Sequence, residues 1–348
     1  MLNIQEIIEH LSQQKLDPVP NFIFVKEIQK LKPSSPDYIN SYNAVKQTKW
    51  YRDLSDDQWE DGSWGMFHGG DVQAQKRQKF PCTEAALRRA REMSLTKDDP
   101  IIAKCIKIME SQIRGETEWP DRIETHKDKG KGNLIWRTAG TAANLNVIDS
   151  DNPLITPFRD NVIEILKESF ASGNYNEEVF DRAIQDYRVC VIFKPGNAFS
   201  LMLLSNSNCM DDSLQRQYLD YVWNKKSGVM YLTNYPITAA RNKDDDCRQV
   251  EEYKANIEDS NFCTWLSLLE LFSGFALFPE LMRENVLTHL LNEATRLIYC
   301  NVSLPNPPGG HVNACNHTVN GRYAESWRNK SKKKTDMVLR IARLLVKC

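Results

Sequence analysis

The sequence predicts an all-α fold built from about five or six helical hairpins. Three observations lead there. Helix-length apolar patterns with short breaks fill most of the 348 residues, and strand-like runs are few, VCVIF at 189–193 being the clearest. A short pattern recurs along the chain: an apolar residue, an anchor four residues on, then a glycine and an aromatic. The copies are Leu54-x3-Gln58-x3-Gly62-x-Trp64, Ile108-x3-Gln112-x2-Gly115 followed by Trp119, Leu166-x3-Phe170-x2-Gly173-x-Tyr175, and Leu219-x3-Trp223-x4-Gly228 followed by Tyr231. The anchors 58, 112, 170 and 223 lie 54, 58 and 53 residues apart. That period is too long for one helix and suits a hairpin with its connections. A lone hairpin cannot bury both faces, so neighbours must stack.

The elements follow in order. Residues 1–36 are an N-terminal arm or first hairpin, ended by the break KPSSPDY at 32–38, and 37–348 form one domain. DQWEDGSWGMFHGG at 57–70 carries the best copy of the repeat, where the glycine stops a helix and the aromatic covers the turn. TEAALRRAREM (83–93), RTAGTAANLNVI (137–148), NFCTWLSLLELF (261–272) and TDMVLRIARLLV (335–346) include several that are small or apolar over most of their circumference, which suits an inner ring. DDPIIAKCIKIMESQI (98–113) is more amphipathic and suits an outer one. A fifth unit would end at LIYCNVSLPNPPGG, 297–310.

Composition bounds the function classes. A net charge of −1 gives no global field for nucleic acid or an anionic membrane, and basic residues do not interleave with aromatics. The first twenty residues lack the basic region and apolar core of a secretory signal. The longest apolar stretch, 262–278, is broken by Glu270; no transmembrane segment is expected, and peripheral membrane contact stays open. Nine scattered cysteines read as thiols of a reducing compartment, hence a cytoplasmic location, where the sequons at Asn301 and Asn316 carry no meaning. Walker, Rossmann and nucleophile-elbow patterns are absent from the sequence. Oligomeric state is not legible.

Gln58-x3-Gly62-x-Trp64 resembles the glutamine–tryptophan repeat of squalene and oxidosqualene cyclases. The resemblance implies an α/α toroid of helical hairpins, an architecture shared with protein prenyltransferase β subunits. It covers most of the chain as architecture, with one copy near consensus. It also implies acid-initiated carbocation chemistry on a small hydrophobic or isoprenoid ligand in a central apolar cavity. The family's acid lies in an Asp-x-Asp-Asp motif at the start of an inner helix, kept protonated by an apolar wall. In NIEDSNFCTWLSLLEL (256–271), Glu258 stands at the proton-donor position and Asp259 at the fourth, while Asn256 replaces the first aspartate. Asp259 or Ser260 equally suits a helix N-cap. This reading predicts a deep apolar cavity with Glu258 at its wall.

Other candidates attach to the same frame. Glu84 and Arg137 near inner-helix starts, His68 and Asp71 after the best repeat, and Trp265 on an inner helix are candidate substrate contacts, with charge pairing or an ordinary loop role as the alternatives. Arg328, Lys332, Lys333 and Lys334 are candidate diphosphate ligands or a solvated charge run, and magnesium would accompany a diphosphate. Asp245, Cys247 and His311 follow the prenyltransferase zinc order, and Cys315 and His317 add local donors, yet no clear fourth ligand appears and zinc is disfavoured. Two alternative functions remain: a carbohydrate-active toroid (hydrolase or lyase) with facing carboxylates, and a non-catalytic helical scaffold or binding protein.

Overall fold

The computed structural model describes residues 1–67, 79, 80, 82–117, 119, 130–224, 256–258, 262–304 and 330–348, with side chains at 131–137, 224, 263, 264 and 283–285 excepted. The described residues are all-helical. The helices are α1 (Ile4–Ser12), α2 (Pro18–Ile23, continued by a π turn Phe24–Ile28), α3 (Pro36–Lys46), α4 (Lys49–Asp57), α5 (Thr83–Glu92), α6 (Pro100–Ile113), α7 (Gly130–Ile148), α8 (Thr156–Ser169), α9 (Glu177–Gln185), α10 (Ala198–Leu204), α11 (Asp212–Asn224), α12 (Phe262–Phe272), α13 (Phe278–Asn285), α14 (Leu287–Tyr299) and α15 (Lys330–Leu345).

Local chemistry accounts for many of these boundaries. Asn3 and Glu6 form a reciprocal capping box on α1. Ser35, Thr48, Asp99, Asn176 and Asn197 each accept a backbone N–H at the start of their helices. Proline occupies the first turn of α2, α3, α6, α8 and α13, where a missing N–H costs nothing. The run 189–193, read as strand, forms a 3₁₀ turn at Val191–Phe193 instead. Its β-branched residues sit directly before Pro195-Gly196, and Ile192 and Phe193 bury against the helices rather than a neighbouring strand.

The helices pack in sequence order. The inner series α5, α7, α10, α12 and α15 makes successive side-by-side contacts, and α15 meets the π turn. Outer helices lie on them: α6 packs on α7, α8 on α10, and α14 on α15. α1 packs on α15, so the first and last helices of the chain meet. α10 is buried over its whole length, as an inner position requires.

The recurring pattern falls at the C-terminal ends of four outer helices, α4, α6, α8 and α11. Gly62, Gly115 and Gly173 have φ of 98°, 72° and 85°, which glycine adopts without penalty. Gly115 follows the C-cap of α6 directly, whereas α4 ends in the extended residue Gln58 and α8 at Phe170, and Gly62 and Gly173 turn the chain a few residues further on. Trp64 and Trp119 are fully buried beyond them. Gly228 and Tyr231 lie outside the described residues. In the best copy the amide of Gln58 donates to Gly62 O and Ile101 O, both at 2.8 Å, and so joins the end of α4 to the start of α6. Trp64 Nε1 donates to Leu54 O at 2.8 Å, and its backbone N–H donates to Thr83 Oγ1 at the start of α5. A Cβ on Gly62 would stand 2.4 Å from Lys104 O, so no other residue fits. The motif is a clasp whose side-chain donors close on protein oxygens.

Candidate functional site: a charged cavity at the inner-helix ends

The C-terminal ends of α5, α7, α10, α12 and α15, together with the π turn, line one cavity of about 410 Å³. Five cationic side chains (Lys26, Arg88, Arg91, Arg343, Lys347) face three carboxylates (Glu27, Glu92, Glu270) in its wall. Leucines 95, 268, 271 and 344 supply apolar surface between them. Cations at helix C-termini are favoured by the partial negative charge of the last carbonyls, which explains why α5 and α15 end in arginines.

The charges are organised in two groups. Deep in the wall, fully buried Arg340 forms a two-pronged ion pair with Glu270, both bonds 3.0 Å, and also donates to Ser267 Oγ. Glu92 lies near them, 2.8 Å from Arg89 Nη1. Burial pushes the Glu92 carboxyl up despite Arg89, Arg340 and Arg88, and Glu270 adds to the rise. The guanidinium of Arg89 also lies over the Trp50 ring, 4.2 Å from its centroid.

Nearer the mouth, Arg343 clasps Glu27 through Nε and Nη2 at 2.8 and 2.9 Å. Ser94 Oγ donates to Glu27 at 2.6 Å, while Lys26 Nζ donates to Ser94 O and Oγ at 2.7 and 3.1 Å. These bonds bring the π turn to the end of α5. Burial raises the Glu27 carboxyl, but Arg343, Ser94 and Lys26 together outweigh it and hold the group below its ordinary value. Burial lowers Lys26, and Glu27 only partly opposes it. Lys347 donates to Ser273 Oγ at 2.8 Å. It is exposed to solvent yet surrounded by the concave mouth, and that crowding, with Arg343, lowers its pKa.

Backbone strain gathers at the same place. Lys26 and Glu27 sit in the π turn, a rare form that is frequent at functional sites. Ser94 and Asn206, two of the cavity's lining residues, have φ of 58° and 55°. Ser94 occupies the left-handed position that ends α5: its N–H donates to Arg91 O and the next N–H to Ala90 O. Glycine is the usual residue there. Serine is strained but brings the hydroxyl that joins Lys26 to Glu27.

A second cavity, of about 520 Å³, adjoins the first and shares Lys26, Glu27, Ser273, Arg343 and Lys347 with it. These five residues form a neck between the two. Phe275, Phe278 and Val346 line the outer chamber.

The residues singled out from the sequence fall elsewhere. Glu258 is exposed, its carboxylate 2.6 Å from Arg296 on α14, and lacks the apolar enclosure that a protonated acid needs. Its position follows from Glu293 on α14, which accepts the Ile257 N–H and draws this segment onto the outer layer. Trp265 is fully buried and stands edge-on to His289 of α14, so it faces the outer layer rather than the cavity. Glu84 is fully buried in the first turn of α5, at the far end of that helix from the cavity. The expected lysine cluster is dispersed: Lys332 pairs with Asp17, Lys333 donates to Leu304 O and Lys334 to Cys300 O. These bonds secure the start of α15. Asp259, His68, Asp71, Arg328, Asp245, Cys247, His311, Cys315 and His317 lie outside the described residues, as does the side chain of Arg137. Among the described residues no group of histidine, cysteine and carboxylate side chains could hold a metal ion, and no helix is long and apolar enough to cross a membrane.

The neck residues escaped the sequence reading because they come from positions 26, 27, 273, 343 and 347. The signal available was the arginine-rich ends of the two segments 83–93 and 335–346. No family model, curated protein or solved structure matches the chain.

Proposed function

We propose that the chain is an α/α toroid that binds a small anionic molecule in the cavity where its inner helices end. The toroid reading is supported by the sequential contacts of the inner helices, by the bonds from Lys26 and Glu27 to Ser94, and by the packing of α1 on α15. The observation that carries the ligand class is the surplus of cations over carboxylates in the cavity wall. Five cations against three carboxylates give the cavity a net positive field, which favours entry of an anion. Leucines between the charges leave room for an apolar portion, so prenyl diphosphates, the substrates that the cyclase and prenyltransferase resemblance implies, belong to the ligand class to be tested.

Thermal melting in the presence of orthophosphate, diphosphate, prenyl diphosphates, dicarboxylates and neutral oligosaccharides tests this. A ligand at about a hundred times its Kd stabilises the fold by about 2.7 kcal/mol, a rise of about 5 °C or less. An anion should produce that rise and the neutral sugars none. A shift with oligosaccharides alone would contradict the proposal and favour the carbohydrate reading.

A further inference from the structure

We propose that the neck between the two cavities is a phosphoryl-binding subsite formed by Lys26, Arg343 and Lys347, and that the natural ligand is a phosphate monoester whose organic part occupies the inner cavity. The inference rests on the anion reading above and narrows it. Its first ground is charge stoichiometry. Three cations meet one carboxylate at the neck, Glu27, which leaves a surplus of two. A phosphate monoester carries nearly two negative charges at neutral pH and three acceptor oxygens; a single carboxylate would neutralise half the surplus.

Its second ground is donor geometry. Arg343 closes its planar fork on the Glu27 carboxylate through Nε and Nη2; the same geometry suits phosphate, which would engage it by displacing or sharing that carboxylate. Lys347 lies in the turn just past the end of α15, four residues after Arg343, and its Nζ donates to Ser273 Oγ, a neck residue. Lys26 approaches from the π turn, fixed by Ser94. Two segments thus place three cations on the lining that both cavities share.

Its third ground is the strained serine. Ser94 keeps a left-handed backbone where glycine would relax it, and its hydroxyl spans Lys26 and Glu27. We assign it as a positioning residue: it holds the cation toward the neck and draws the carboxylate aside.

Isothermal titration of the full chain with inorganic phosphate and with glycerol 3-phosphate, at low ionic strength in a phosphate-free buffer, tests the subsite. Saturable binding of both is expected. Lys347→Gln, at an exposed position, should weaken both by about tenfold, the loss of one charge-assisted hydrogen bond. Ser94→Gly should weaken both severalfold. Relief of the left-handed backbone offsets part of the stability lost with the hydroxyl's bonds to Glu27 and Lys26, and Ser94→Ala, which keeps the strain, should lower Tm further. Phosphate binding that neither Lys347→Gln nor Ser94→Gly alters would overturn the neck assignment. Binding of succinate without phosphate would overturn the phosphoryl assignment while leaving the anion cavity standing. Binding of no anion at all would remove both.

Discussion

The clasp at Gln58–Trp64 and the neck at Lys26–Lys347 are both polar features set against buried surface, and they are built on opposite principles. In the clasp the amide of Gln58 reaches two carbonyls and the indole of Trp64 reaches one. A charge-neutral set of donors closes on backbone oxygens and leaves nothing for a ligand. In the neck, cations outnumber carboxylates, two lysines are held below their ordinary pKa by burial, and the backbone is strained around them. The difference teaches where to look for function in this chain. Tryptophan and glycine density marks architecture, and unbalanced charge at the inner-helix ends is where the proposed ligand would bind.

Substitutions sharpen that contrast. The largest effect is expected for Trp64→Ala, which empties a fully buried indole site and should cost about 3–5 kcal/mol. Chemical denaturation would read the loss, and anion affinity of the folded fraction should not change. Gln58→Ala comes next. It strips two carbonyls of a donor and should cost about 1–3 kcal/mol. A fall in anion affinity without a fall in stability would move Gln58 from architecture to function and break the comparison.

The neck should respond in the other sense. Glu27→Gln removes the carboxylate that competes for Arg343, so anion affinity should rise while stability falls by about 1.5–3 kcal/mol. The pH dependence gives the sign independently. Glu27 is held below its ordinary value in the fold, so its contribution is full above the ordinary carboxylate value. It is lost as pH falls through the lower, folded value. Glu27→Gln should therefore flatten the acid limb of a stability-against-pH curve. A curve that keeps its acid limb would assign the loss to other carboxylates. The smallest effect belongs to Ser94→Gly, where relief of the left-handed backbone offsets part of the loss of the hydroxyl's bonds to Glu27 and Lys26.

Much of the architecture was legible in the sequence. Gly62, Gly115 and Gly173 could be recognised as turn glycines because a left-handed backbone favours glycine, although only Gly115 directly follows a helix cap and α4 is ended by Gln58. The segments 83–93, 98–113, 261–272 and 335–346 form helices within a few residues of their expected ends, since apolar period and flanking caps act locally. VCVIF misled because a short β-branched run has no distinctive period, and tertiary packing decided its shape. The site was far less legible. Arg340 and Arg343 on α15 look like a solvated face until α12 and the π turn supply Glu270 and Glu27. Glu258 was selected by its position in a motif, and a partner on α14, Arg296, decides where its carboxylate lies. Charge pairing between segments separated by tens to hundreds of residues is set by packing, which local pattern does not encode.

Hydrogen exchange with and without orthophosphate compares the two regions in one experiment. The account predicts added protection at amides 26–30, 94–96 and 343–347, around the neck, and none at 58–65, in the clasp. Protection confined to the clasp, or absent from the neck at saturating phosphate, would contradict it.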